Sequence, residues 1–129
     1  MFTPQEASKL LPDIKPKIKE LMESKKVIAE LHAELERYTL MGISTQESRQ
    51  KAAALDALAD SMTKNVAELE DFGLVIKDLD LGLVDFPAER YGEKVLLCWR
   101  YGEPEVSYWH KPLEGLRGRK PLKIQAIPR

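Results

Sequence analysis

Thiol and imidazole are scarce in this chain of 129 residues, which has one cysteine, Cys98, and two histidines, His32 and His110. A single cysteine excludes an intramolecular disulfide framework, and neither a CxxC nor an HxxxH spacing marks a ready-made zinc motif. No apolar run approaches the length of a membrane span or a signal-peptide core, so the cytoplasm is the expected compartment and no membrane partner is expected. Internal repeats and low-complexity tracts are also missing. The seven glycines and eight prolines are spread as punctuation, not gathered into a linker. Excess charge of one sign is lacking too: 20 basic side chains stand against 21 acidic ones, with pI ≈ 6.2. That balance gives no broad field for nucleic acid, an unlikely partner on this ground.

What is present is an ordinary globular composition, 43% hydrophobic and 32% charged, in a length that suits one core and not two. A single domain over 1-129 is therefore expected, with a helical part at about 3-73, a β-meander at about 74-110 and a basic tail at 111-129.

Thr3-Pro4-Gln5-Glu6 has the form of a capping box with proline at the first helical position, so a helix starts there. Pro12 should end or kink it near Leu11, giving a short helix followed by a long one over roughly Pro12 to Met41. Ile14, Ile18, Leu21, Ile28, Leu31, Leu35 and Tyr38 fall on one stripe of that second helix, and Gly42 suits its end. Ser44-Thr45-Gln46-Glu47 reads as a second capping box. Beyond it Leu55, Leu58, Met62, Val66, Leu69 and Phe72 recur at helical spacing up to Gly73. A connection of a few residues forces the two long helices antiparallel, and Ala52, Ala53, Ala54, Ala57 and Ala59 are expected to let them approach closely.

The chain then changes character. Gly82 to His110 holds both tryptophans, the only cysteine, one of the two histidines and three of the four tyrosines. Leu83 to Phe86, closed by Pro87, reads as a strand. Glu93 to Arg100 and Glu105 to His110 are β-branched and aromatic runs separated by the turn residues Tyr101-Gly102-Glu103-Pro104. Leu74 to Leu79 adds a candidate strand, and Leu122, Ile124 and Ile127 a candidate edge strand. The expected fold class is α+β: a long antiparallel helical hairpin preceded by a short N-terminal helix and packed with a small antiparallel β-meander. A meander of this size needs a helical cover to be stable in water.

The segments GLVDFP, LCWRYGE, YWH and GLRGRKPL, together with the opening FTPQEASKLLPDIKP, resemble an uncharacterised bacterial family, the domain of unknown function numbered 2203. The likeness spans nearly the whole chain. It implies no reaction, cofactor or catalytic residue. The family pattern has a histidine two places before the position of His110, where this chain has Tyr108, and that departure weakens any imidazole-pair metal site.

Candidate chemistry gathers in the same stretch. Asp85, Glu103 and His110 are the candidate acid/base residues. Cys98, His110 and Asp85 are donors that a divalent metal such as zinc accepts, although spacing alone predicts no cofactor. Whether Cys98 faces His110 depends on a hairpin register that the sequence leaves open. Against these stand plainer readings: Cys98 as a buried core residue, Asp85 paired with Arg100, Arg117 or Arg119, and the aromatics as core, not a stacking platform. His32 reads as a solvated helix residue.

Charge is uneven along the chain. Glu68 to Glu93 holds eight acids against Lys77 and Arg90, while Lys111 to Arg129 holds six bases against Glu114. The two can pair. Alternatively Arg100, Arg117 and Arg119 supply forks for an anion, with Gly118 admitting it to the backbone. These features point first to an interaction or small-ligand-binding domain, homo-oligomeric with a dimer favoured. The runner-up is a small enzyme using Asp85, Glu103 and His110, with or without a metal, and the third reading is anion or nucleic-acid binding by the tail.

Overall fold

The computed structural model describes residues 1–122. Ile124, Ile127 and the tail bases Lys123 and Arg129 lie outside the described residues. The fold is α+β: helices α1 (Pro4–Leu40) and α2 (Gln46–Asp71) form an antiparallel hairpin. They are followed by β1 (Val75–Asp78), β2 (Leu83–Arg90), β3 (Glu93–Arg100), β4 (Tyr108–His110) and β5 (Lys120–Pro121). All five strands are antiparallel in the spatial order β1-β2-β3-β4-β5. This is a meander in which each strand pairs with its successor in sequence.

The short first helix expected from Pro12 does not exist as a separate element; α1 runs unbroken through Pro12 and Pro16. The reason is packing. Ala7, Leu11, Ile14, Ile18 and Leu21 are all buried at alternating spacings of four and three, one stripe that crosses Pro12 without a change of phase. Burial of each large aliphatic side chain contributes roughly 1.5–3 kcal/mol, and four of them together outweigh a proline cost of about 3 kcal/mol. Both proline rings sit on the exposed side of the helix. At the start, the Thr3 hydroxyl accepts from the Glu6 backbone N–H while the Glu6 carboxylate accepts from the Thr3 N–H, as the capping box requires.

The second cap is shifted by one residue from the expected Ser44 box. Thr45 is the N-cap and pairs reciprocally with Ser48. Beyond Leu21 and before Leu69 the hairpin buries no apolar residue completely. Ile28, Leu31, Leu35 and Tyr38 meet α2 in a half-buried seam, so this part of the hairpin is an arm with solvent on both flanks. Of the five alanines expected to line the seam only Ala52 is half-buried; Ala53, Ala54, Ala57 and Ala59 face solvent.

Pro87 was expected to close a strand, yet β2 continues three residues past it. In an antiparallel ladder the N–H and C=O of one residue point to the same side. The Pro87 carbonyl points away from β3, accepting from the Phe2 N–H at 2.8 Å, so the missing donor removes no bond from the β2–β3 ladder. One sheet face, carrying Val84, Phe86, Val95, Leu97 and Trp99, closes on the α1 stripe and on Leu69 to make the core.

Candidate functional site

Register decides which side chains meet. Tyr91 and Gly92 both have positive φ, 53° and 81°, the signature of a two-residue type I′ turn. That turn pairs Arg90 with Glu93 and, counting back along both strands, Asp85 with Cys98. On the other side of β3, Cys98 pairs with Tyr108 and Leu96 with His110. Because strand residues alternate, Asp85, Cys98 and His110 share the sheet face opposite the helical core. All three are buried, at 1–2% exposure, and one donor atom from each lies within 4.8 Å of the others.

The hydrogen bonds fix where protons sit. His110 Nδ1 lies 2.8 Å from the Lys111 carbonyl, which only accepts, so Nδ1 carries a hydrogen. Nε2 is left to face Asp85 Oδ1 at 3.1 Å. Two lone pairs cannot sit at that distance unscreened, so one electropositive centre, a proton in the simplest case, lies between imidazole and carboxylate. Asp85 is also beside the Cys98 thiol. Burial pushes that thiol up to about 11, with the Asp85 charge adding to the rise and the Arg119 guanidinium opposing it. The order of contact is thus cysteine, aspartate, histidine. His110 is not placed as a base toward Cys98, and a free thiolate nucleophile is not what this arrangement favours.

Glu103 is drawn elsewhere. Its carboxylate oxygens accept from one Arg119 nitrogen at 2.7 and 2.9 Å, and Oε1 also accepts from the Arg100 backbone N–H at 2.7 Å. Arg119 additionally donates to the Cys98 carbonyl at 3.4 Å and lies over the Tyr108 ring at 4.1 Å. Its Nε is buried and has no hydrogen-bond partner among the described residues. The trio of Asp85, Glu103 and His110 is therefore not assembled as one constellation: two meet, and the third clamps Arg119 next to Cys98. The Arg100 and Arg117 side chains are exposed and do not converge on the cluster. Among the described residues the basic tail pairs with Glu103 and Glu114, not with the acids between 68 and 93. His32 is exposed on α1.

Of Trp99, Tyr101, Tyr108 and Trp109, Trp99 alone follows the core reading in full; Trp109 and Tyr108 are half-buried and Tyr101 is exposed. Trp99 is fully buried and its indole N–H donates to the Glu103 carbonyl at 2.9 Å, with Tyr101 edge-on to it. Trp109 is flanked by Arg90 and Lys120 at 4.8 and 4.9 Å from the ring centre.

A second feature lies on the helix side of the sheet edge. The first turns of α1 and the β4–β5 edge enclose a cleft of about 810 Å³ with apolar walls from Pro4, Val106, Tyr108 and Leu122. Lys9 and Arg90 reach it, against one acid, Glu105. Two long-range bonds tie the start of the chain to the sheet. The Phe2 N–H meets the Pro87 carbonyl at 2.8 Å, and the Val106 N–H donates to Ser8 Oγ at 3.0 Å. Nothing in the sequence brings the residues of the cleft together as a ligand site. The one available signal was Ser8, a hydroxyl beside the buried stripe of Ala7 and Leu11.

Fold and site together define a small α+β protein: a helical hairpin on one face of a five-stranded antiparallel meander, and a buried mixed-donor cluster on the other. The chain belongs to the family described as "Uncharacterized conserved protein (DUF2203)", which matches residues 1–122. No curated protein and no solved structure is significantly similar to it. No described helix is long and apolar enough to cross a membrane.

Proposed function

We propose that this protein is a small-ligand-binding domain whose ligand has an apolar body and one acidic group. The observation that carries this reading is the cleft. Its volume of about 810 Å³ falls within the roughly 300–1,000 Å³ typical of small-molecule sites, and its walls combine apolar surface with a few convergent polar groups. Lys9 and Arg90 outnumber Glu105 there, and none of the three forms an ion pair among the described residues. An anionic headgroup suits that imbalance.

Titration of the full chain with anilinonaphthalene sulfonate, an aromatic sulfonate of this description, tests the reading. Saturable one-to-one binding, weakened several-fold by Arg90→Gln, is expected. No saturable binding, or equal affinity in the variant, overturns it.

The same reading includes self-association, with a dimer as the commonest closed assembly. Its support is the arm tip, where Leu40 and Met41 are 80% and 70% exposed, and the β1 edge of the sheet, where Val75 is exposed. Light scattering at tens of micromolar should return twice the chain mass; a monomer mass contradicts it. The cytoplasm is the compartment this reading assumes, in keeping with a cysteine held as a free buried thiol.

A further inference from the structure

We infer that Asp85, Cys98 and His110 form a binding site for one divalent metal ion of the zinc class, with a fourth coordination position left to a water. The inference is independent of the cleft reading above and stands on the opposite face of the sheet.

Donor chemistry comes first. One sulfur, one imidazole nitrogen and one carboxylate oxygen are the three donor types zinc accepts in proteins, whereas magnesium and calcium take oxygen alone. Among the described residues this is the one group of three such side chains whose donor atoms converge, within 4.8 Å of one another. Bonds of about 2.0–2.3 Å in tetrahedral geometry would set donor pairs roughly 3.3–3.7 Å apart. The Asp85–His110 pair is already at 3.1 Å. Closing the cluster on an ion therefore takes rotamer adjustments, not a movement of strands, because all three residues sit on paired strands in fixed register.

The surroundings are arranged as those of a ligand set. Metal-binding histidines are oriented by a hydrogen bond from their other ring nitrogen, commonly to a backbone carbonyl. The Lys111 carbonyl holds Nδ1–H at 2.8 Å in this way and turns Nε2 toward Asp85. Beside Cys98 lies the Arg119 guanidinium, whose buried Nε has no partner among the described residues. A thiolate sulfur beside this guanidinium accepts from it more strongly than a neutral thiol does.

Charge balance agrees. Without metal the face holds a neutral thiol and an Asp85–His110 pair sharing one proton, with no net charge. With a divalent ion it holds a thiolate, a carboxylate and a neutral imidazole, again with no net charge. Binding is thus the exchange of two protons, one from Cys98 Sγ and one from between Asp85 and His110, for one doubly charged cation. A buried site tolerates that exchange because it leaves no uncompensated charge.

The test uses the full-length chain, first stripped with a chelator and then titrated with cobalt(II) alone as a spectroscopic stand-in for zinc. One ion per chain, a thiolate-to-cobalt charge-transfer band in the near ultraviolet, and release of about two protons per ion in a weakly buffered indicator solution are expected. Cys98→Ser should abolish the band, and Asp85→Asn and His110→Gln should each weaken binding about ten-fold or more. A folded wild-type chain that develops no charge-transfer band overturns the inference whatever the variants do. A band that persists in Cys98→Ser overturns it as well.

Discussion

His110 meets Asp85 across β3, Nε2 to Oδ1 at 3.1 Å, with both side chains 2% exposed. Neither group has water as an alternative partner, so each depends on the other. Asp85→Ala should cost about 3–5 kcal/mol by stranding a buried imidazole nitrogen. Asp85→Asn should cost only about 1 kcal/mol, since its amide N–H can donate to a neutral Nε2. Urea unfolding midpoints in the presence of a chelator measure the difference. Equal losses would show that the carboxylate charge, absent from both variants, sets the effect, and not a hydrogen bond that the amide can replace.

Cys98 should be inert in the folded chain. With its thiol pushed up to about 11, on the order of one molecule in ten thousand is thiolate at neutral pH. Iodoacetamide labelling of the metal-free protein should follow unfolding and accelerate in urea. Rapid labelling without denaturant would contradict the burial.

The same shift makes stability depend on alkaline pH. The folded thiol holds its proton between about 9 and 11, where the unfolded thiol loses it. The stabilisation is therefore complete below pH 9 and is lost as pH rises through 11. The loss amounts to at most about 2–3 kcal/mol. Other groups titrate in this window, so the readout is the difference between wild type and Cys98→Ala. Parallel curves for the two would remove Cys98 as the cause.

Gly82 has φ +69°, and a Cβ there would lie 2.6 Å from the Tyr101 Cβ and 3.1 Å from the Met22 sulfur. Gly82→Ala combines backbone strain with a clash that only main-chain movement relieves. A loss of about 2–3 kcal/mol is expected from thermal or urea unfolding. An unchanged midpoint would mean that the turn is loosely held.

Glu103→Ala should leave the part-buried Arg119 without its charged partner, at a cost of about 1–3 kcal/mol. The effect should be local. Amide hydrogen exchange is expected to quicken in β4 and β5 and to stay unchanged along the helical seam. Uniform quickening would show instead that the clamp supports the whole fold.

Much of this architecture was legible in advance, and the exceptions share a physical cause. Thr3 with Glu6, Gly42 and Gly73 mark helix ends through local backbone chemistry, which needs no knowledge of the fold. Pro12 and Pro87 misled because tertiary structure settles what a proline costs: burial of the α1 stripe outweighs the helical bond lost at Pro12, and the donor missing at Pro87 would have pointed to the Phe2 side of β2, away from the β3 ladder. For the site, the Tyr91-Gly92 turn contains enough information to pair Asp85 with Cys98, because a two-residue hairpin fixes register. The loop from Tyr101 to Ser107 does not fix β4 in the same way, so His110 as the partner of Asp85 emerged only from the assembled sheet. The cleft was less legible still, since Ser8 and Val106 lie far apart in the chain.

The continuity of α1 makes it a lever. Its 37 residues span about 55 Å at 1.5 Å per residue. Pro4 and Ser8, at one end, wall the cleft, and Leu40 lies at the other. A rigid rotation of about 5° at the cleft end carries the tip by about 5 Å over that length. Had Pro12 broken the helix, the same rotation would have been absorbed at the joint. An unbroken rod instead makes small displacements beside Ser8 legible at a distance, at the point where the arm is most exposed.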